Sequence, residues 1–434
     1  MTPFTRIMRA SLSKIGALLM IAVMLAWEPA MAQAAGFDVD HATQAWLATL
    51  GPAARIKSDA YTEGSQWIFL FGTLVSVLSC WIMLRLRLLP KVRDAMQRRG
   101  WRPWLGIIAC AGVFLAFDAL ITLPWAMYAE FWREQQYGLM NQSLGGWLGD
   151  KALTVVLTLL LGGPLLLLIY AVIRRFPGRW WLIGSGVMAA LVTLAVLIAP
   201  VFIAPLFNTY TELPQGPIRS RIVAMAQTYQ VPANRIYVAD ESRQSNRISA
   251  NVSGLGPTIR ITLNDNLLKQ PPAMVAAVMG HELGHYVLGH SWRIIVIMSL
   301  VFGVQFGLAA MIVPAVIRLG GQRWKVRAIG DPASMPVFAG VLAVLTLLSA
   351  PAINTMIRVS ESDADAFGLD AAREPDAFAA AAMKLSSYRK ISPGPIEEAL
   401  LFDHPSGKTR VRMSMQWKKD HVPGATEILP PPLP

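Results

Sequence analysis

Charge is scarce in this chain of 434 residues: Asp, Glu, Lys and Arg together make up 15%, against roughly 25% in an average soluble domain. With 54% apolar residues and a mean hydropathy of +0.43, much of its surface must face something other than water. That shortage excludes a soluble multidomain enzyme and a disordered chain. Cysteine is nearly absent. Cys80 and Cys110 are the only two, both inside apolar runs, so there is no disulfide framework. Acidic residues are outnumbered, 27 to 39, which leaves a net charge of +12. Neither water-facing stretch carries a basic face interleaved with aromatics, so nucleic acid is not the expected partner. The basic residues sit instead at the ends of apolar segments, and the expected partner is a lipid bilayer.

A helix needs about 20 apolar residues to cross a hydrocarbon core. Uncharged runs of that order cover Trp67–Leu84, Ala152–Ile173, Trp180–Phe207, Ile294–Ile317 and Pro332–Ile357, and Trp104–Ala129 adds a sixth with the single charge Asp118. Trp and Tyr gather at their ends, as at Trp67, Trp101, Trp125 and Trp292, where membrane interfaces hold them. Residues 1–34 have another pattern. Arg6, Arg9 and Lys14 precede the apolar stretch Ile15–Trp27 and then Ala30-Met31-Ala32, which predicts a secretory signal peptide, with an uncleaved first helix as the rival.

The expected organisation is an α-helical polytopic membrane protein of six spans with an inserted, water-facing α+β domain. An extracytoplasmic segment covers 35–66 and a four-span region 67–207. Two water-facing blocks cover 208–293 and 358–420 with two spans, 294–357, between them, and a flexible tail occupies 421–434. In the first block, Gly216–Tyr229 predicts a helix, Arg235–Ala239 and Thr258–Leu263 predict strands, and a further helix starts after Pro271-Pro272.

The string His281-Glu282-Leu283-Gly284-His285 is an HExxH on that last helix. Residues i and i+4 project from one face, so both imidazoles reach a single Zn²⁺, with Glu282 placed to take a proton from its water. A catalytic zinc takes a third protein ligand. Only six histidines exist: His41 and His421 lie far off in sequence, and His290 is one residue short of the metzincin spacing. Glu361 and Asp365 form another i, i+4 pair, in which one can bind zinc while the other orients a ligand histidine. HExxH with ExxxD is the two-helix signature of the gluzincin metallopeptidases.

These residues, with the segments Glu134–Asn141 and Ile203–Asn208 and the late His404-Pro405 and Arg410, resemble the type I CAAX prenyl endopeptidases and the related membrane-bound stress-response zinc proteases. The resemblance covers roughly residues 60–420. It implies one zinc per chain held by His281, His285 and Glu361, and a membrane-integrated endopeptidase that cleaves proteins or peptides through zinc-bound water. Glu282 would be the general base, Asp365 would orient a ligand or move a proton, and His404 and Arg410 would help stabilise the oxyanion. It also implies a helical bundle around a water-filled chamber, towards which Asp118 could point. His290 recurs in the pattern too and is read as an interfacial histidine beside Trp292 and Arg293. One departure lies on the edge strand before the zinc helix, where the family's Asn-Ala pair is replaced by Ser249-Ala250-Asn251. The alternative function is a transporter or channel-like protein with a vestigial zinc site.

Charge also predicts orientation. Arg85, Arg87, Lys91, Arg93, Arg98, Arg99 and Arg102 follow the first span; Arg174, Arg175 and Arg179 follow the third; Arg318, Arg323, Lys325 and Arg327 follow the fifth. Segments 35–66 and 130–151 carry only Arg55, Lys57, Arg133 and Lys151. Lys/Arg excess marks the cytoplasmic side, so both protease blocks are expected in the periplasm, outside a bacterial inner membrane. The eukaryotic prenyl proteases that the chain resembles place their site towards the cytosol.

Overall fold

The computed structural model describes residues 37–426 other than residue 255. The expected signal segment and residues 427–434 of the tail lie outside the described residues. Helix α1 (Val39–Ala48) begins at Asp38, whose carboxylate accepts from the backbone N–H groups of Asp40 and His41. Helix α2 (Pro52–Leu86) has 35 residues and is therefore about 52 Å long, well beyond the ~30 Å hydrocarbon core. Its apolar run starts at Trp67, but the helix starts at Pro52, because a proline suits the first turn and nothing in between interrupts the ladder.

Short α3 (Leu88–Arg98) turns back after Arg87, and α4 (Pro103–Ala126) continues through a wide π-turn, Met127–Trp132, to Gln136. Helices α5 (Leu144–Arg175) and α6 (Trp180–Phe202) follow. The first protease block comprises β1 (Tyr210–Glu212), α7 (Pro217–Thr228), β2 (Ile236–Ala239), β3 (Ala250–Ser253), β4 (Arg260–Asn264) and α8 (Pro272–Val287). Then come the long α9 (His290–Trp324) and α10 (Met335–Ala372), and finally α11 (Pro375–Leu385), α12 (Pro395–Leu401) and α13 (Gly407–His421). Six described helices are long and apolar enough to cross a membrane: Pro52–Leu86, Pro103–Gln136, Leu144–Arg175, Trp180–Leu206, His290–Trp324 and Pro332–Ala372.

The four strands form one sheet in the order β1-β2-β4-β3, parallel between β2 and β4 and antiparallel elsewhere. Strand β3 is thus an edge. Residues Ile236, Ile261 and Leu263 of this sheet bury themselves against Val275, Met279 and Leu283 of α8. The membrane bundle has its own core around Cys110, Tyr170, Trp180, Phe306 and Phe338. Asp118 finds a partner inside it: Ser79 Oγ donates to its carboxylate at 2.8 Å.

The three basic loops meet at one end of the bundle. Arg87 Nε donates to the Arg323 carbonyl at 2.8 Å, Arg93 pairs with Asp331 and reaches the Lys325 carbonyl, and Arg174 Nε donates to the Gly330 carbonyl. Both protease blocks assemble together at the other end. Helix α1 joins them there, burying Val39, Trp46 and Leu47 against Met383, Val411 and Met415.

Candidate metal centre

Helix α8 carries His281 and His285 one turn apart, and helix α10 carries Glu361 and Asp365 in the same relation. The two helices pack unusually close because small residues face each other. A Cβ added at Gly368 would lie 2.8 Å from His281 N, and one at Gly280 would lie 2.9 Å from the Gly368 carbonyl oxygen. This contact delivers the carboxylate to the imidazoles. The two Nε2 atoms are 3.1 Å apart; Glu361 Oε2 is 3.3 Å from His281 Nε2, and Glu361 Oε1 is 3.4 Å from His285 Nε2. The edge of a tetrahedron with bonds of 2.0–2.1 Å is about 3.3–3.4 Å, so the donor separations suit a zinc-sized ion. Among the described residues, these three form the group able to hold a metal. His41 lies in α1, and His421 contacts the Trp417 carbonyl instead.

Asp365 is fully buried. Its Oδ1 lies 2.8 Å from His281 Nδ1, although the ring's N–H does not point straight at it. Arg410 clasps the same carboxylate with two bonds, Nε to Oδ2 at 2.8 Å and Nη2 to Oδ1 at 2.5 Å. Such a paired fork fixes the carboxylate's plane. His404 places Nε2 3.4 Å from Glu361 Oε2 and holds Asp403 through Nδ1 at 2.9 Å. Glu282, beside the donor set, lines a cleft of about 250 Å³ with Ser249, Ala250 and Arg389.

The local field is uneven. Burial pushes the Glu282 carboxyl up to about 7, with the His281 charge opposing. Burial and the charge on His281 push His285 down to about 4. At His281 burial is outweighed by hydrogen bonding to Asp365 and Glu361, and the ring is raised to about 10. A positive ring lying between two carboxylates is the state a bound cation would replace.

Four features differ from, or extend, the expectations. His290, at the first position of the fifth candidate span, is buried in the protein: it is 1% exposed, with Nδ1 3.0 Å from His285 Nδ1. The segment Glu134–Asn141 clasps the chain leading into β3. Asn141 N donates to the Gln244 carbonyl at 3.0 Å, while Glu134 binds Arg247 at 2.6 Å and Tyr61 at 2.5 Å. A larger cavity of about 1250 Å³ adjoins the cleft, running from Ile248 and His404 between α2 and α10 to Leu70 and Leu347. Asp118 does not line it.

A family model described as the CAAX prenyl protease N-terminal region with five membrane helices matches residues 47–209, and that of peptidase family M48 matches residues 212–417. The chain belongs to the CAAX prenyl protease branch of peptidase family M48. It is 23% identical to the uncharacterized metalloprotease YhfN of Bacillus subtilis (strain 168), over 83% of this chain and 85% of that protein. To the CAAX prenyl protease 1 homolog of Arabidopsis thaliana it is 27% identical, over 82% and 86%. Its fold is that of Ste24p from S. mikatae, with a TM-score of 0.71 at 21% identity over 84% of this chain and 90% of that one. This M48 member is a multi-pass membrane metalloendopeptidase. A transporter with a vestigial site is not favoured.

Proposed function

We propose that the protein holds one zinc ion on His281, His285 and Glu361 and cleaves extended protein or peptide segments in the periplasm of a bacterial inner membrane. The observation that carries this reading is the convergence of His281 and His285 with Glu361, from helices nearly eighty residues apart in sequence, into a donor set with separations of 3.1–3.4 Å. Zinc bound there supplies Lewis acidity that polarises the scissile carbonyl and makes water a competent nucleophile near neutral pH.

The chain's own residues do the rest. Glu282 takes the proton of the attacking water and passes it to the leaving amine. In the metal-free protein burial raises its carboxyl above the ordinary range, the direction that suits a group which must carry a proton between the two transfers. Asp365 holds the His281 ring from behind and is itself held by Arg410. His404, anchored by Asp403, and the charge of Arg410 offset the negative charge that develops on the carbonyl oxygen. Strand β3 has a free edge beside the cleft, suited to an extended substrate that adds by main-chain hydrogen bonds. Ala250 lines the cleft and the neighbouring Asn251 is exposed, so a small side chain borders the substrate there.

Glu282→Gln tests the mechanism. It removes the base without removing a ligand, so the purified variant should keep near-stoichiometric zinc by elemental analysis and lose hydrolysis of a casein-like substrate. Unchanged turnover would sink this assignment.

A further inference from the structure

His290 lies five positions after His285, and on one continuous helix that spacing would set the two side chains about 140° apart. The helix is not continuous. Helix α8 ends at Val287, Gly289 adopts a left-handed conformation with φ 67°, and α9 begins at His290. The break carries the His290 ring back onto His285, with Nδ1 atoms 3.0 Å apart and ring centroids 5.0 Å apart. An imidazole that is 1% exposed must use its polar atoms or forfeit their hydration.

The hydrogen placement follows from His285. Its Nε2 faces His281 and Glu361, so as a ligand it presents a lone pair there and carries its hydrogen on Nδ1. That N–H donates to His290 Nδ1, which must accept, and the hydrogen of His290 then sits on Nε2. Nε2 lies 3.9 Å from Asp363 Oδ2 and makes no hydrogen bond among the described residues. Asp363 is turned instead to Arg293 Nη1 at 2.8 Å. The contact with His285 is therefore the polar interaction that His290 makes.

We propose that His290 is a positioning residue for the metal centre. It accepts the Nδ1–H of His285 and so fixes that ligand's tautomer and ring plane, as Asp365 does for His281. The inference rests on the zinc reading above, and it assigns His290 no direct bond to the metal.

The test uses the full chain in detergent, with His290→Phe to keep a ring without an acceptor and His290→Asn to keep an acceptor near the Nδ1 position. Zinc affinity is read by chelator competition, and ligand geometry by the visible absorption of the Co²⁺-loaded protein. The Phe variant should bind zinc about 10–100-fold more weakly, the usual effect of losing a ligand's orienting partner, with altered Co²⁺ bands. The Asn variant should stay close to wild type in both. Equal losses in both variants, or a Phe variant with wild-type affinity and spectrum, would overturn the inference while leaving a zinc-binding wild type intact. A wild-type protein that takes up no zinc would overturn the metal reading, and this inference with it.

Discussion

In the proposed metal centre a proton and a metal ion would compete for one nitrogen of His281. Hydrogen bonds to Asp365 and Glu361 outweigh burial and raise the ring to about 10, so the metal-free protein holds that ring protonated at pH 7. Zinc requires the neutral imidazole, and loading must expel the proton. The sign follows: below pH 10, each unit of acidification should weaken zinc binding about tenfold through this group alone. Calorimetry at pH 7 in buffers of different ionisation enthalpy should therefore show release of about one proton per zinc. Asp365→Asn removes a major cause of the raised pKa, so it should release less and bind zinc about 10–100-fold more weakly. A wild-type heat independent of buffer would show that the ring is already neutral.

Helix α8 meets α10 through Gly280, Gly284, Ala364 and Gly368, and this crossing sets how far Glu361 stands from the histidines. An alanine at Gly368 would press on the backbone of His281, which is not the flexible end of a side chain and cannot swing aside. Overpacking of this kind costs about 1–3 kcal/mol. Gly368→Ala should lower both the unfolding temperature and the zinc occupancy, whereas Gly186→Ala in α6, with no atom near the new methyl, should lower neither. Equal behaviour of the two variants would refute the spacing argument. What was legible in sequence divides along the same line. Long apolar runs located the six candidate spans, because their signal accumulates over many residues, and i, i+4 spacing singled out the two residue pairs that the fold brings together, because both sit on unbroken helices. The start of α2 at Pro52 was missed because polarity, not helicity, changes at Trp67. His290 was missed because its proximity depends on one left-handed glycine, which periodicity cannot register; Gly289 itself was the available signal. The close approach of Gly368 to His281 is tertiary and leaves no local pattern.

The whole molecule is polarised along its length, and the polarity bears on which compartment supplies substrate. One end gathers Arg87, Arg93, Arg174, Arg323 and Lys325 into mutually bonded loops. The other gathers α1, the sheet and both halves of the donor set. Six helices alternate between these ends, so the ends must lie on opposite faces of a bilayer that all six cross. Short-loop Lys/Arg excess marks the cytoplasmic face, and on that rule the proposed place of the candidate metal centre is the far side. The proposed orientation is opposite to the one implied by resemblance to the eukaryotic prenyl proteases, and it would make a periplasmic substrate the natural one. Reporter fusions decide the matter. Alkaline phosphatase, active only after export, should be active when fused after Gln270, beside α8, and silent when fused after Gln97, within the basic loop. The reverse pattern would turn the molecule over, put the cleft in the cytoplasm and restore a lipid-modified cytoplasmic substrate as the better expectation.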